Sequence, residues 1–255
     1  MNIKISEAYK NYRQELLDIV TDFDSKGTNF IVGQRNTIKL FKLDHLQINS
    51  KSFKIPNLLN RVVYRYFRKS KAQRSFENAI YLQSKGIGTP TPIAYIEDTN
   101  RFILSRSYYL CEHLEIDLMY KDLLENPNYP KREEILRAFV HFTHSLHEHQ
   151  ILFKDHSPGN TLIQQNGDQF SFFLVDLNRM KFKELSLEER ITNFTRLTPH
   201  KEMIATMSDE YSKITGVTYN DIFNLMWGLT EKFQQKFYRK IALKNKYLFW
   251  RKKKK

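Results

Sequence analysis

The sequence predicts an α+β chain of two lobes, and three observations carry that prediction. Residues up to about Glu112 hold five short runs rich in β-branched and aromatic residues, with one long helical stretch inserted among them. From Glu133 onward, helical periodicity dominates. With 41% hydrophobic and 14% aromatic residues in 255, the chain has the apolar material for a buried core, which excludes a disordered polymer. The division falls at residues 113/114: an N-terminal extension and β-rich lobe over 1–113, and a helical lobe with a basic tail over 114–255.

Residues 6–23 read as a helix, with Ser6 as N-cap and Leu16, Leu17, Ile19 and Val20 along one side. Strand patterns follow at Phe30–Val32, Thr37–Phe41 and Leu46–Phe53. Pro56 and Asn57 open a helical stretch from about Leu58 to Lys85, which Gly86 and Gly88 end. Two more strands are expected at Ile93–Ile96 and from Phe102 to Glu112, then a helix over Glu133–His149. After the loop Ile151–Asn160, Thr161–Gln164 and Phe170–Val175 form a hairpin around Asn166-Gly167-Asp168. The remainder, from Leu187, is mostly helical.

One cysteine, Cys111, excludes an internal disulfide and a cysteine-based zinc site. The first residues lack the apolar core of a signal peptide, and no window has 18 consecutive apolar residues. A cytoplasmic protein is expected.

The most informative local pattern is Lys154-Asp155-His156-Ser157-Pro158-Gly159-Asn160, followed by the hairpin and then Val175-Asp176-Leu177-Asn178. Asp155 and Asn160 have D-x-x-x-x-N spacing, that of a kinase catalytic loop, and Asp176 ends an apolar strand, where a kinase keeps its metal-binding carboxylate. The chemistry needs one carboxylate for the acceptor hydroxyl and, further along, an amide oxygen and a second carboxylate for Mg²⁺. Taken without that chemistry, the same residues are ordinary turn formers.

Asp155–Ile163 (DHSPGNTLI) and Leu174–Met180 (LVDLNRM) resemble the catalytic core of the lipopolysaccharide core kinases, the heptose and Kdo kinase family within the protein-kinase-like superfamily. Lys51–Leu59, Phe67–Ala79 and Gly86–Glu97 are similar to the N-terminal lobe of its bacterial members, so that the likeness spans roughly Phe30 to Lys183. The resemblance implies a bilobal protein-kinase-like fold, a β-rich lobe with one main helix and an α-rich lobe. It implies ATP and Mg²⁺, with Asp155 as catalytic base or hydroxyl-orienting group and Asn160 and Asp176 as metal ligands. A kinase also needs a strand lysine on the phosphates and a helix glutamate that fixes it. Lys51 and Glu77 fit best; Lys54 is the second choice for the lysine, and Lys39 lies further from Glu77. The stretch from Glu112 to Leu114 would line the adenine pocket.

The pattern also departs from that of protein kinases. There is no G-x-G-x-x-G or A-P-E, Phe153 replaces the histidine of H-R-D, and Asp176-Leu177-Asn178 replaces D-F-G. These losses disfavour a regulated protein kinase and fit an enzyme that acts on a small or glycolipid acceptor. The expected reaction is transfer of the ATP γ-phosphoryl to a Kdo or heptose hydroxyl of the lipopolysaccharide core. A soluble kinase of aminoglycoside or choline type and a non-catalytic pseudokinase are the alternatives. His141, His144, His147 and His149 crowd one helix end, where buried packing is the simpler expectation than a metal site.

The net charge of +13 is concentrated. Residues 46–76 hold eight Lys/Arg and no acid, residues 232–255 hold eleven and no acid, and the other 200 residues carry a net charge of −6. Both segments interleave cations with aromatics, as do Arg61–Lys69 and Phe237–Trp250. That mixture suits an anionic membrane surface. The expected partners are therefore the lipopolysaccharide core glycolipid and the inner membrane surface, to which the protein would be peripheral. No RNA-binding motif accompanies the charge, and no specific nucleic acid is expected.

Overall fold

The computed structural model describes residues 1–33, 36–54, 63–64, 66–99 and 103–247. They pack as two compact units: Met1–Asp117 with Ser171–Met180, and Leu118–Phe170 with the chain from Lys181 on.

The first unit is built on β1 (Asn2–Ile5), α1 (Arg13–Thr21), β2 (Thr28–Val32), β3 (Asn36–Leu43), β4 (Leu46–Phe53), α2 (Lys71–Ser84), β5 (Pro92–Thr99) and β6 (Leu104–Glu112). The strands form one antiparallel sheet in the order β1-β5-β6-β4-β3-β2. All five expected strands are present, and β1 is an addition. Its four residues are too short for a pattern to be read, but they pair with Ala94–Glu97. That pairing also changes the helix start. Ser6 does not act as N-cap: its hydroxyl donates to the Pro92 carbonyl at 2.5 Å and its amide to Ile93. Glu7–Tyr12 wind as a 3₁₀ turn, and the α-helix begins only at Arg13.

Strand alternation divides the two faces of the sheet. Ile48, Ile96, Tyr108 and Leu110 face α1, where Leu16, Ile19, Val20 and Phe23 complete a buried cluster. Fully burying one such side chain is worth about 1.5–3 kcal/mol. Lys51 pairs with Tyr109, one residue out of phase with that cluster, so its side chain leaves from the other face. Helix α2 packs there, with Phe76 edge-on to Tyr95 at 5.5 Å between centroids.

The long helix expected from about Leu58 to Lys85 does not run unbroken. Residues 55–62 lie outside the described residues. Phe67 closes a turn on Val63, and α2 starts afresh at Lys71, where the Ser70 hydroxyl accepts from the Gln73 amide at 3.0 Å. That side-chain acceptor satisfies an otherwise orphaned helix donor and sets the start. Phe67 stays exposed instead of packing on the sheet. Gly86, at φ 70°, ends α2 as expected. Gly88 does something else, for it allows a close approach of two backbones: a Cβ there would stand 2.1 Å from the Phe172 carbonyl oxygen. The backbones meet because the Leu174 amide donates to the Gly88 carbonyl (2.9 Å) and the Thr89 hydroxyl donates to the Leu174 carbonyl (2.9 Å). This seam is why Ser171–Met180 belongs to the first unit, which a division at 113/114 does not anticipate.

The second unit contains β7 (Leu118–Met119), α3 (Tyr120–Glu125), α4 (Arg132–Glu148), β8 (Ile151–Phe153) and β9 (Thr161–Asn166). It also contains the start of β10 (Gln169–Leu174), then α5 (Leu187–Thr192), α6 (Lys201–Thr215) and α7 (Tyr219–Tyr247). Helix α4 buries Ile135, Leu136, Phe139, Val140 and Leu146, and α6 buries Met203, Ile204, Met207 and Tyr211. Helix α7 is packed only in its first half, at Ile222, Met226 and Thr230. No helix among the described residues is long and apolar enough to cross a membrane.

Candidate active site

Within the first unit, Lys51 Nζ and Asp176 Oδ1 meet at 2.6 Å although 125 residues separate them in sequence. The lysine side chain is 14% exposed and the carboxylate 31%. Lys51 comes from the middle of β4, with its ammonium 5.2 Å from the Phe53 ring centroid. Asp176 sits just beyond β10 in the left-handed region, at φ 60°. That conformation costs roughly 1–2 kcal/mol for a residue with a Cβ, and aspartate is among the side chains that tolerate it best. The surroundings hold it. Asn178 Nδ2 donates to Asp176 Oδ1 (2.8 Å), Asn78 Nδ2 to the Leu177 carbonyl (2.6 Å) and Arg74 Nη1 to the Asn178 carbonyl (2.9 Å). Two side chains of α2 thus fix the backbone behind the carboxylate.

The expected pair between Lys51 and Glu77 is not formed. Glu77 is held by residues just before and within the start of its helix: Lys69 Nζ on Oε2 at 2.7 Å and Gln73 Nε2 on Oε1 at 3.0 Å. With both oxygens engaged locally, the helix touches the Asp176 segment through Arg74 and Asn78 instead. Lys54, the second choice, lies exposed past the end of β4. Lys39 is buried, with its ammonium donating to the Asp24 and Lys26 carbonyls at 3.2 and 3.0 Å, so it closes a loop. At the end of β6, the amides of Glu112 and His113 bond Thr91 and Gln47, so neither is a donor left for a nucleotide base.

Within the second unit, Asp155 and Asn160 occupy the loop between β8 and β9. Asn160 Nδ2 donates to the Asp155 carbonyl at 2.8 Å, which ties the loop across its own neck. The amide nitrogen is thereby engaged, and the group it leaves for a cation is its oxygen. Asp155 Oδ1 accepts from Arg196 Nη1 at 3.1 Å, and the same nitrogen donates to the Lys154 carbonyl at 2.9 Å.

Beneath this loop lies a buried polar chain. Tyr211 of α6 meets His147 Nδ1 at 3.1 Å, His147 Nε2 meets Asn193 Oδ1 at 3.3 Å, and Asn193 Nδ2 donates to the Phe153 carbonyl at 2.7 Å. His156 is buried against the rings of Phe139 and Phe153. Burial pushes the imidazoles of both His147 and His156 down to about 3, so both are neutral in the folded chain. Of the histidine cluster on α4, His147 is thus part of the interior packing. In the same cluster, His141 meets Glu210 at 2.8 Å and His149 meets the Ser145 carbonyl at 2.8 Å. No group of metal-ligating side chains of that kind is present among the described residues. Cys111 is likewise a core residue, its thiol pushed up to about 12 by burial.

Sequence reasoning missed Arg74, Asn78, Gly88 and Arg196. Arg74 and Asn78 carried a faint signal, polar residues spaced i, i+4 beside the apolar stripe of α2. Gly88 and Arg196 carried none, since each matters only for what tertiary folding sets against it.

The model of the lipopolysaccharide kinase (Kdo/WaaP) family matches residues 26–221. A solved structure, "WaaP in complex with acyl carrier protein", superposes with a TM-score of 0.62 over 92% of this chain and 98% of that one. At 14% identity that likeness shows the fold alone. No curated protein matches the chain.

Proposed function

We propose a residue-level mechanism from the premise that this chain belongs to the lipopolysaccharide kinase (Kdo/WaaP) family. It is a phosphotransferase that acts on a sugar hydroxyl of the lipopolysaccharide core. The acceptor hydroxyl is oriented by Asp155, whose carboxylate takes up its proton as the oxygen attacks the γ-phosphorus of ATP in line, the bond from that phosphorus to the β,γ-bridging oxygen breaks and ADP leaves. Lys51 neutralises charge on the ATP phosphates. Asn160 and Asp176 supply the hard oxygens that Mg²⁺ prefers, and the engagement of Asn160 Nδ2 with the loop backbone fits that assignment. When bound, the ion offsets charge on the phosphate oxygens.

The observation that carries this reading is the 2.6 Å pair of Lys51 and Asp176. Each is the other's stand-in: the carboxylate occupies the lysine as a phosphate would, and the ammonium occupies the carboxylate as a cation would. ATP binding exchanges both partners without leaving either charge unpaired. Glu77 takes no part in transfer in this scheme.

The acceptor is a glycolipid, and the second half of α7 is the segment suited to an anionic bilayer surface. Phe237, Tyr238, Ile241, Leu243 and Tyr247 are exposed there among Lys232, Lys236, Arg239, Lys240, Lys244 and Lys246. The protein is then peripheral to the inner membrane. Since WaaP was solved with acyl carrier protein, co-purification of such a carrier with this chain is a second association to examine.

The decisive experiment measures phosphate transfer from labelled ATP to lipopolysaccharide core oligosaccharide. Asp155→Ala and Asp176→Ala are each expected to abolish transfer while leaving the thermal unfolding curve cooperative. Full activity in either variant rules the assignment out.

A further inference from the structure

Arg196 lies between α5 and α6, and no part of the kinase chemistry described above requires it. Its guanidinium nevertheless bonds the carboxylate assigned to the acceptor hydroxyl. Nη1 donates to Asp155 Oδ1 at 3.1 Å and to the Lys154 carbonyl at 2.9 Å, while Cζ stands 5.9 Å from the Phe233 ring centroid on α7. The side chain is 39% exposed. Its hydrogen bonds among the described residues use Nη1, and the donors on Nε and Nη2 remain. Solvent at the arginine end screens the pair and limits its contribution to stability.

The chemistry suggests a reason for the arrangement. Guanidinium is planar, permanently charged and carries its donors in a fork that matches a carboxylate or phosphate with two parallel bonds. Here one prong is anchored on the loop of Asp155, the ring of Phe233 stands beside the guanidinium, and the donors on Nε and Nη2 make no hydrogen bond among the described residues. A sugar hydroxyl bonded to Asp155 is one hydrogen bond away from the atom that Arg196 also bonds. Groups on the neighbouring sugar carbons therefore fall within reach of Nε and Nη2.

We infer that Arg196 is the acceptor-reading residue: it binds an anionic group beside the reacting hydroxyl while holding Asp155 in place. This inference rests on the assignment of Asp155 as the hydroxyl-orienting carboxylate. The anion is either a sugar carboxylate or a phosphate already on the core, and both present the same paired oxygens. The preference for an acidic acceptor then comes from the same side chain that positions the base, so recognition and catalysis are linked through one guanidinium.

The test uses the full chain and three soluble acceptors: native lipopolysaccharide core oligosaccharide, the same material with its carboxyl groups reduced, and the same material treated with phosphatase. The wild-type chain is expected to favour native over one of the two altered acceptors by at least roughly tenfold in kcat/KM, the size of a single lost charge-assisted bond. Which altered acceptor suffers identifies the anion as carboxylate or phosphate. In Arg196→Ala and Arg196→Gln, that preference is expected to fall to within threefold of unity, with the loss carried mainly by the acceptor KM. Arg196→Lys should retain part of it. Arg196→Gln retains most of the aliphatic stem and a neutral polar end, so it carries the test if the alanine variant folds poorly.

A variant that loses kcat but keeps the wild-type preference would show Arg196 to be merely structural and would overturn the inference. So would a wild-type chain indifferent to both modifications. Absence of transfer to all three acceptors would instead sink the underlying kinase reading, and this inference with it.

Discussion

In residues 46–76, Lys51 bonds Asp176, Lys69 bonds Glu77 and Arg74 bonds the Asn178 carbonyl. In the second half of α7, Lys232 to Lys246 run along a helix in which Phe237, Tyr238 and Tyr247 are exposed, and none of those cations pairs with a carboxylate among the described residues. The two stretches read alike as sequence: cations, aromatics and no acid. Their environments are opposite because the first segment finds acids to pair with, Asp176 brought from a distant strand end and Glu77 at the segment's own edge on α2. Nothing among the described residues folds back over the end of α7 to do the same. Local composition therefore distinguishes a basic segment from an acidic one, but tertiary contacts decide whether the charge serves the interior or an external polyanion.

The largest expected effect lies on the paired side. Lys51→Met should lower kcat for transfer to core oligosaccharide by about 10²–10³-fold, in line with loss of one charge-stabilising donor in a transition state. A smaller loss than tenfold would mean that another cation anchors the phosphates and that the two segments differ less than the structure indicates.

The complementary experiment is on the exposed side. Each cation near an anionic leaflet contributes ~1 kcal/mol. Changing Lys232, Lys236, Lys240 and Lys244 to Glu should reduce sedimentation with phosphatidylserine-containing vesicles by at least roughly 10²-fold at low salt. Transfer to a soluble oligosaccharide should change less than twofold. Unaltered sedimentation would remove the membrane role from α7.

Arg74→Ala tests whether α2 supports the Asp176 segment rather than merely covering the sheet. An outer-shell bond of this kind is worth about 10–100-fold in activity, so kcat should fall into that range with the KM for the acceptor unchanged. A fall in thermal stability alone would refute the positioning role.

Acid sensitivity should come from neither basic segment. His147 and His156 are held near 3 in the folded chain against an ordinary 6.5. Between those values the unfolded chain binds protons that the folded chain does not, so stability falls as pH drops below about 6.5. The slope approaches about 1.4 kcal/mol per pH unit for each histidine. Thermal melts from pH 7 to pH 5 should show it, and His147→Gln should flatten the curve. An unchanged slope would place the acid-sensitive group elsewhere.

The smallest effect is expected at Glu77. Its pair with Lys69 is largely solvent-exposed, a class worth about 0–1 kcal/mol, so Glu77→Gln should cost less than threefold in kcat. A loss above 100-fold would show that Glu77 moves onto Lys51 during turnover, which would align this chain with the lysine–glutamate arrangement of protein kinases.

Much of the site is legible in the sequence because its parts are local. Asp155 and Asn160 share one loop, and Asp176 follows an apolar strand whose pattern is plain. Strand alternation alone favours Lys51 over Lys54, and the structure sets Lys51 against Asp176. Glu77 does not become the partner of Lys51, because residues four and eight positions before it capture its carboxylate. Spacing cannot rank that competition.

By itself, then, the sequence determined the α+β plan, the five longer strands, the loop that carries Asp155 and Asn160, and the presence of two acid-free basic segments. These follow from periodicity, turn chemistry and charge, which act over a few residues. Tertiary structure alone decided that Gly88 admits the Phe172 backbone, that Ser171–Met180 joins the first unit, that Lys51 meets Asp176 and that Arg196 bonds Asp155. Each of these joins residues more than 40 positions apart, and the energy of such a contact depends on distances that no local pattern encodes.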